Sequence, residues 1–479
     1  MSPNRMARLC ALLAVVVGGG CRSTSMRGVT RVDEPCDVPA SVASIEPGTK
    51  QLALTSVSYE EPTPDSSDVH KADFTTQTEL SAERLVEEVE ARNPTLQALV
   101  AAWQAAAQRY PQAISLEDPM FMAMVAPASF DSNVVDPGYT LQASQKFPWF
   151  GKRAIRGHQA QAGANAAYFD LEDGRLRLSA ITRAAYYEYY LAHRQLEINR
   201  QNLEIIRQLR KTAQSRYEAN QVTQQDLLQA ELELAALERR GIELERAEKV
   251  SRARINTLLR EEPFSELPPP QQQLDSPSDS LDVSALQQLA VSQRPDLAAQ
   301  SARVRAEQAA VALACKDYYP DTEVFGRYDA MWQEEPLQPA VGVNLNVPIY
   351  RGRLDAALKE KRFALSQRRA ELEQRMLDVQ YEVANAYEQV DESRRMLKLY
   401  DARLLPAAAQ NVAAARGNYD VNKTSFFELA SAQRQLISLR EEREQALTNY
   451  HTRLAELKLA VGGSVTSKDK VDEILPPND

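Results

Sequence analysis

The segment Tyr217-Glu-Ala-Asn-Gln-Val-Thr-Gln-Gln-Asp-Leu-Leu-Gln-Ala230 decides the fold, because a second copy of it follows at Tyr419-Asp-Val-Asn-Lys-Thr-Ser-Phe-Phe-Glu-Leu-Ala-Ser-Ala432. Both copies carry Tyr, an acid, Asn, a β-branched residue, Thr or Ser, an acid, Leu and Ala in the same order, 202 residues apart. This spacing is much longer than a solenoid repeat, so it indicates a duplicated half-chain. We predict two structural repeats, over residues 80–270 and 281–463.

The composition favours a helical protein and excludes several functions. The 479 residues include only 17 Gly and 7% aromatic residues, with a mean hydropathy of −0.44. The 66 acidic and 56 basic residues are intermixed, so no basic stripe exists to bind nucleic acid. The histidines form no catalytic set, the cysteines form no CxxC pair, and no glycine-rich phosphate loop follows a strand. We therefore predict no enzyme, no cofactor and no metal site.

The N-terminus has the pattern of a secretory leader. Arg5 and Arg8 precede an apolar run over residues 9–17, and Gly18-Gly-Gly-Cys21 follows. We predict a signal peptide over residues 1–21 whose end resembles a bacterial lipobox, with Cys21 as the site of lipid attachment, for example by palmitate. Plain cleavage without lipidation is the alternative. Residues 22–79, rich in Pro, Ser, Thr and Asp, are predicted to form a flexible tether, and residues 464–479 a polar tail.

Each repeat is expected to open with a helix and to contain two long helices. Ser81 and Asp282/Ser284 are placed as N-terminal caps, and Pro94 and Pro295, 201 residues apart, interrupt the first helices. About 65 residues without a helix-breaking residue follow residue 153, and a similar length follows residue 353, broken only by Pro406. Such helices are about 100 Å long.

Alternating patterns predict four strands, at about 113–126, 138–147, 322–332 and 340–348. In the last strand Val341, Val343 and Leu345 share one face, whereas Gly342 and Asn344 share the other. In a soluble sheet such alternation separates core from solvent, and in an outer-membrane barrel it separates lipid from lumen. Four strands cannot enclose a channel, so several copies must share one barrel.

Three methionines, Met120, Met122 and Met124, share one face of the first predicted strand. We interpret them as a lipid-facing or packed apolar face in preference to a thioether site for Cu(I).

The repeated segment is predicted to form two turns, at about 219–224 and 421–426. Thr223-x-x-Asp226 and Ser425-x-x-Glu428 have the spacing of capping boxes that begin the returning helices.

Taken together, the leader, the two matched halves, the strand exit Phe147-Pro-Trp-Phe-Gly-Lys-Arg153 and the paired turns resemble the TolC-like outer-membrane efflux protein family over residues 80–463. The sequence of this strand exit resembles that of the heavy-metal efflux subgroup. The resemblance implies a mainly α fold with membrane β: a homotrimer with a twelve-stranded barrel in the outer membrane lipid, continued by a long periplasmic α-helical barrel. It also implies a passive outer-membrane channel, supplied by an inner-membrane pump through a periplasmic adaptor protein.

Under this resemblance the two turns become the periplasmic tip. The residues expected to dock the adaptor are Asn220, Val222, Thr223, Asn422, Thr424 and Ser425. Asn220 and Asn422 replace the usual Gly, and Asn tolerates the left-handed conformation better than most residues do.

The resemblance also places an aperture beside the turns. It comprises Glu428 as an acidic ring, Ser431 where a second acid is often found, and Asp226 and Gln229 in the first repeat. The alternative role of Asp226 and Glu428 is only to cap helices, at about 0.3–1 kcal/mol each. The alternative function is a periplasmic coiled-coil adaptor or scaffold lipoprotein, which would carry one hairpin rather than two matched halves.

Overall fold

The computed structural model describes residues 79–463, apart from residues 132, 134, 135, 220, 276–281, 332, 334, 336 and 422. The predicted signal peptide with Cys21, the tether except for its last residue, the polar tail, Asn220 and Asn422 lie outside the described residues.

Each repeat contains short helices, two strands and two long helical segments, in that order. The first repeat contains α1 (Ala82–Arg92), α2 (Pro94–Ala107), α3 (Arg109–Ile114), β1 (Met120–Val125), α4 (Pro127–Phe130), β2 (Tyr139–Phe147), α5 (Lys152–Glu218) and α6 (Gln224–Leu258). The second contains α7 (Val283–Gln293), α8 (Pro295–Lys316), β3 (Asp321–Asp329), β4 (Pro339–Asn346), α9 (Arg351–Leu399), a π-helical turn (Tyr400–Leu404), α10 (Leu405–Asp420) and α11 (Phe426–Val461).

The short helices begin and end where their caps and prolines require. Ser81 Oγ accepts a hydrogen bond from Arg84 N at 3.3 Å, and Asp282 Oδ1 accepts one from Ser284 N at 3.0 Å. Pro94 and Pro295 each occupy the first position of a helix, where a missing N–H costs nothing. The preceding residue is extended in both cases, so each proline separates two helices.

The long helices differ between the repeats. Helix α5 runs without interruption for 67 residues, about 100 Å. The corresponding stretch of the second repeat contains the π-helical turn just before Pro406. This turn is held to α11, because Tyr400 Oη donates to Glu442 Oε2 at 3.1 Å and Arg443 Nε donates to Asp401 Oδ1 at 3.1 Å.

Buried tyrosines of α5 connect the start of the first repeat to the segment that follows it. Tyr186 Oη donates to the carbonyl of Leu80 at 2.9 Å and accepts from Gln271 N at 3.3 Å, while Tyr189 Oη donates to the carbonyl of Pro268 at 3.2 Å. The phenol rings bury their apolar bodies among α1, α2 and α6, and the hydroxyls satisfy backbone groups that would otherwise be desolvated. These contacts fix the two ends of the first repeat beside each other.

The four strands form one antiparallel sheet in the order β1-β2-β3-β4. Residues paired across antiparallel strands share a face. One face carries mainly apolar side chains such as Phe121, Leu141 and Val341, and the other carries most of the polar ones. On the polar face Thr140 Oγ1 donates to Asp329 Oδ1 at 3.2 Å, and Asn344 Nδ2 donates to Glu323 Oε2 at 3.3 Å.

Two expectations about the first strand are wrong. The strand begins at Met120, not near residue 113, because residues 109–114 are helical. Their helix is stabilised by α5: Ile114 and Tyr110 pack over Gly157, where an added Cβ would lie 2.7 Å from Ile114 Cγ2. The Arg153 guanidinium also donates to the carbonyl of Ile114. This tertiary support overrides the local pattern.

The second error concerns the methionine face. Met120, Met122 and Met124 pair with Ser144, Gln142 and Thr140, so they lie on the polar face and not on an apolar one.

Among the helices that the structure describes, none is both long enough and apolar enough to cross a bilayer.

Candidate aperture at the two helical turns

The two turns close by the same hydrogen bond, 202 residues apart. Gln221 N donates to the carbonyl of Arg216 at 2.8 Å, and Lys423 N donates to the carbonyl of Asn418 at 2.9 Å. A bond of this span, five residues back along the chain, satisfies a carbonyl that the helix end leaves without a partner. The duplicated sequence therefore produces duplicated turns.

The two caps that follow the turns differ in what the acid does. Asp226 accepts a bond from Thr223 N at 3.3 Å, so this carboxylate caps its helix. Ser425 Oγ accepts from Glu428 N at 3.4 Å. Among the described residues the Glu428 carboxylate makes no matching bond back to its cap, and it is exposed. The acid of the second repeat is thus available for another role.

Gln229 is hydrogen-bonded to Glu233, which forms an ion pair between the two repeats. Its Nε2 donates to Glu233 Oε1 at 3.1 Å, and buried Glu233 pairs with Arg434 of α11 at 3.2 Å. Ser431 is exposed one helical turn beyond Glu428. The predicted docking residues Thr223 and Ser425 are exposed, and Val222 and Thr424 are half-buried.

A small apolar core holds the two helical ends together. Tyr419, Phe426 and Leu429 of the second repeat pack with Ala213 and Ala230 of the first. The rings of Tyr419 and Phe426 meet edge to face, with centroids 6.1 Å apart. Only one of the two repeated tyrosines takes part, since Tyr419 is 2% exposed and its counterpart Tyr217 is 40% exposed. The two copies share the hydrogen bond that closes the turn but have different surroundings.

Arg216, which sequence reasoning missed, joins the two ends directly. Its guanidinium donates to the carbonyl of Tyr419 at 2.8 Å and to that of Asp420 at 3.3 Å. It also pairs with the Asp420 carboxylate at 3.4 Å and lies 4.6 Å from the centre of the Tyr419 ring. Arg216, which lies on α5, therefore caps the C-terminal carbonyl groups of α10. We call these contacts the Arg216 clamp.

The clamp also sets the electrostatics of the core. Burial raises the pKa of the Tyr419 hydroxyl above its ordinary value of 10, although the adjacent Arg216 guanidinium opposes the rise. The hydroxyl is consequently neutral at physiological pH, and the charges that act on it are those of Arg216, Asp226 and Asp420. The clamp is a cation held by carbonyl groups, an aromatic face and one carboxylate.

The other titratable groups form no catalytic or metal-binding arrangement in the part of the chain that the structure describes. No group of three or more His, Cys, Asp or Glu residues there could hold a metal ion. His451 is buried between Tyr187 and Tyr450, and its Nε2 lies 3.0 Å from the carbonyl of Asp275. This histidine packs the second repeat against the connecting segment.

Comparisons with known proteins agree on the architecture. The sequence profile of a family described as outer membrane efflux protein matches residues 85–259 and 286–463. A comparison with curated proteins finds no match.

Several solved structures share the fold. The outer-membrane channel OprN is 22% identical, with 82% of this chain and 91% of that chain covered and a TM-score of 0.67. CusC, which forms a transmembrane channel, is 17% identical, with coverages of 80% and 92% and a TM-score of 0.69. The outer membrane protein VceC of Vibrio cholerae is 18% identical, with coverages of 80% and 97% and a TM-score of 0.67.

Proposed function

Because the chain belongs to the outer membrane efflux protein family, we propose that it is the outer-membrane exit duct of a tripartite efflux system. The duct is passive: an inner-membrane pump supplies the energy, and a periplasmic adaptor connects the two. The observation that carries the proposal is the family match over both repeats. Members of this family are channels and not enzymes, so the prediction of no enzymatic activity is confirmed.

The sheet supports a shared barrel in the outer membrane. It has four strands and two free edges, β1 and β4, and one of its faces is apolar. Unpaired edges and an exposed apolar face are both costly in a single soluble chain. Three copies joined edge to edge form a closed barrel of twelve strands, with the apolar face toward lipid and the polar face toward the lumen.

Exposed apolar residues on α6 support the homotrimer. Glu444 on α11 is 7% exposed, because Tyr190 of α5 covers it within the chain. The equivalent residue on α6, 202 positions earlier, is Ile242, which is 71% exposed. Likewise Ala430 is buried and its equivalent Leu228 is exposed. By the symmetry of the repeat, α6 packs against α9 and α10 of the next copy, where Tyr381 is also exposed.

The two turns form the periplasmic tip in this proposal. The adaptor docks on Asn220, Val222, Thr223, Asn422, Thr424 and Ser425. The narrow end of the duct is lined by Glu428 and Ser431. Two observations support the role of Glu428. The residue is exposed, and among the described residues its carboxylate makes no hydrogen bond back to Ser425. Three copies of one carboxylate around an axis favour cations over anions.

The Glu428 ring predicts a change in ion selectivity. In single-channel recordings of the purified protein, Glu428→Gln is expected to lower the preference for cations over anions, because the ring loses three negative charges. Glu373→Gln, which removes an exposed acid of α9 far along the chain from the turns, is the matched control and is expected to keep the preference. If Glu428→Gln keeps the preference for cations, Glu428 does not form a selectivity ring. If the purified protein forms no pore, the proposal of an exit duct is wrong.

We also propose that Cys21 carries the lipid anchor. The leader motif supports it, since a Cys directly after small residues ends the apolar run. In cells fed radioactive palmitate, the wild-type protein is expected to become labelled, and the Cys21→Ala variant is expected to remain unlabelled. Equal labelling of both proteins, or of neither, would contradict lipidation at Cys21.

Heavy-metal cations are the cargo that we propose. The strand exit at residues 147–153 supports this class by its resemblance to the heavy-metal subgroup. A strain that lacks the gene is expected to lose tolerance to metal salts and to keep tolerance to organic antibiotics. The reverse result would assign organic cargo.

A further inference from the structure

The methionines of the sheet are concentrated on a single strand. Residues 79–463 contain six methionines, and three of them, Met120, Met122 and Met124, alternate along β1 with Phe121, Ala123 and Val125. Alternation along a strand places the three thioethers on one face and their neighbours on the other. Such a concentration needs a local explanation.

Apolar packing does not provide one. The register places the three methionines beside Ser144, Gln142 and Thr140, and the next strand adds Arg327 and Asp329 to the same face. The other apolar residues of β1 and those of β2 occupy the opposite face, and Phe325 of β3 shares the face of the methionines. The methionines are 71%, 43% and 50% exposed in sequence order, so no core of the single chain covers these residues.

The surroundings are compatible with a cation. Arg327 is the cationic residue beside Gln142 on this face, and its guanidinium lies 3.7 Å from the Asp329 carboxylate. The carboxylate offsets that charge. Thioether sulfur is a soft, polarizable ligand that binds Cu(I) and related ions, whereas Na⁺ and Ca²⁺ prefer oxygen.

We propose that Met120, Met122 and Met124 form a binding site for soft monovalent metal cations of the Cu(I) and Ag(I) class. Adjacent members are about 6–7 Å apart along the strand, and each side chain has three rotatable bonds, so two sulfurs can converge on one ion. The position of this site in the barrel lumen rests on the proposed duct. Binding is an exchange of ligands without electron transfer, and an exposed ion can leave again.

The test uses the full-length protein in detergent, with Ag(I) as the probe and with free thiols alkylated beforehand. Methionine methyl groups labelled with ¹³C report each residue separately by NMR. We expect the signals of Met120, Met122 and Met124 to shift saturably with Ag(I), and those of Met376 and Met396 on α9 to stay in place. Na⁺ and Ca²⁺ are expected to cause no shift.

Substitution provides the second arm. Isothermal titration with Ag(I) is expected to show a saturable site in the unmodified protein and its loss in Met120→Leu/Met122→Leu/Met124→Leu, in which the side chains keep nearly the same volume. Met396→Leu, an exposed methionine of α9, is the matched control and is expected to retain the site. Equal binding by the triple variant, or no saturable binding by the unmodified protein, would overturn the proposal.

The conductance of the unmodified protein, recorded without silver, separates the two proposals. A conducting protein whose three methyl signals do not move refutes the metal site alone. If the three methyl signals shift with Ag(I) but the protein forms no pore, the proposed duct is refuted and the metal site is retained.

Discussion

Replacement of Arg216 by Ala is expected to raise the open probability of the channel by about 10- to 100-fold. The change removes two charge-assisted hydrogen bonds to the carbonyls of Tyr419 and Asp420, one ion pair and one contact with an aromatic ring. Hydrogen bonds to charged groups contribute about 1.5–3 kcal/mol, and each 1.4 kcal/mol changes an equilibrium about tenfold. We propose that the clamp is made in the closed state alone, so that its loss favours the open state by this factor.

Single-channel recording of the purified protein measures this effect. The matched control is Arg210→Ala, because Arg210 lies on the same helix but pairs with Glu231 of α6, within one hairpin. That variant is expected to keep the open probability of the unmodified protein. If Arg216→Ala and Arg210→Ala behave alike, the Arg216 clamp does not control opening.

Replacement of Arg294 by Met is expected to destabilise the protein by about 2–3 kcal/mol. The buried Arg294 guanidinium donates to Asp296 at 2.9 and 2.8 Å, to Glu382 at 2.5 Å and to the carbonyl of Ala460 at 3.2 Å. It thus joins α8, α9 and the end of α11. Breaking a buried pair costs about 3–5 kcal/mol, and the partial exposure of Glu382 reduces that cost through screening by solvent.

Chemical denaturation of the purified protein measures the loss of stability as a lower midpoint. Arg84→Met is the matched control, since Arg84 is half-exposed and pairs with Glu87 and Glu88 on its own helix, at 3.6 and 3.1 Å. Exposed pairs contribute about 0–1 kcal/mol, so this midpoint is expected to move little. Equal midpoints for the two variants would show that the buried network contributes no more than a surface pair.

The same network predicts how stability depends on pH. Burial acts to raise the pKa values of Asp296 and Glu382, but the hydrogen bonds and charges of Arg294 and Arg375 outweigh it and hold both below their ordinary values of 3.8 and 4.5. A lowered folded-state pKa stabilises the protein above the ordinary value, and this contribution is lost as the pH falls through the lowered value. Arg294→Met is expected to lose less stability in acid than the unmodified protein does.

The sequence was sufficient for features that depend on local pattern. The duplication follows from two similar segments, and the cap made by Asp226 follows from the spacing of Thr223 and Asp226. Helix α5 is long because its sequence contains no proline and no glycine that ends it. In these cases the residues that decide the structure are neighbours in the chain.

Features that depend on distant contacts were not predicted. Arg216 contacts residues more than 200 positions away, and no local pattern marks it. The helix at residues 109–114 depends on Gly157 and Arg153 of another element. The face of the methionines became clear only from the register of β1 against β2, because alternation separates two faces without showing which of them is polar.

The π-helical turn at Tyr400–Leu404 records how the two halves have diverged. Arg153 and Arg353 lie near the starts of the long helices, 200 residues apart, whereas Tyr217 and Tyr419 lie near their ends, 202 residues apart. The second copy is therefore two residues longer between these positions. In a continuous α-helix each inserted residue would rotate all later side chains by about 100°, which would turn Tyr419 away from Arg216. A wider turn takes up added chain locally. The long helical segment of the second repeat can therefore differ in length from that of the first while Tyr419 still faces Arg216.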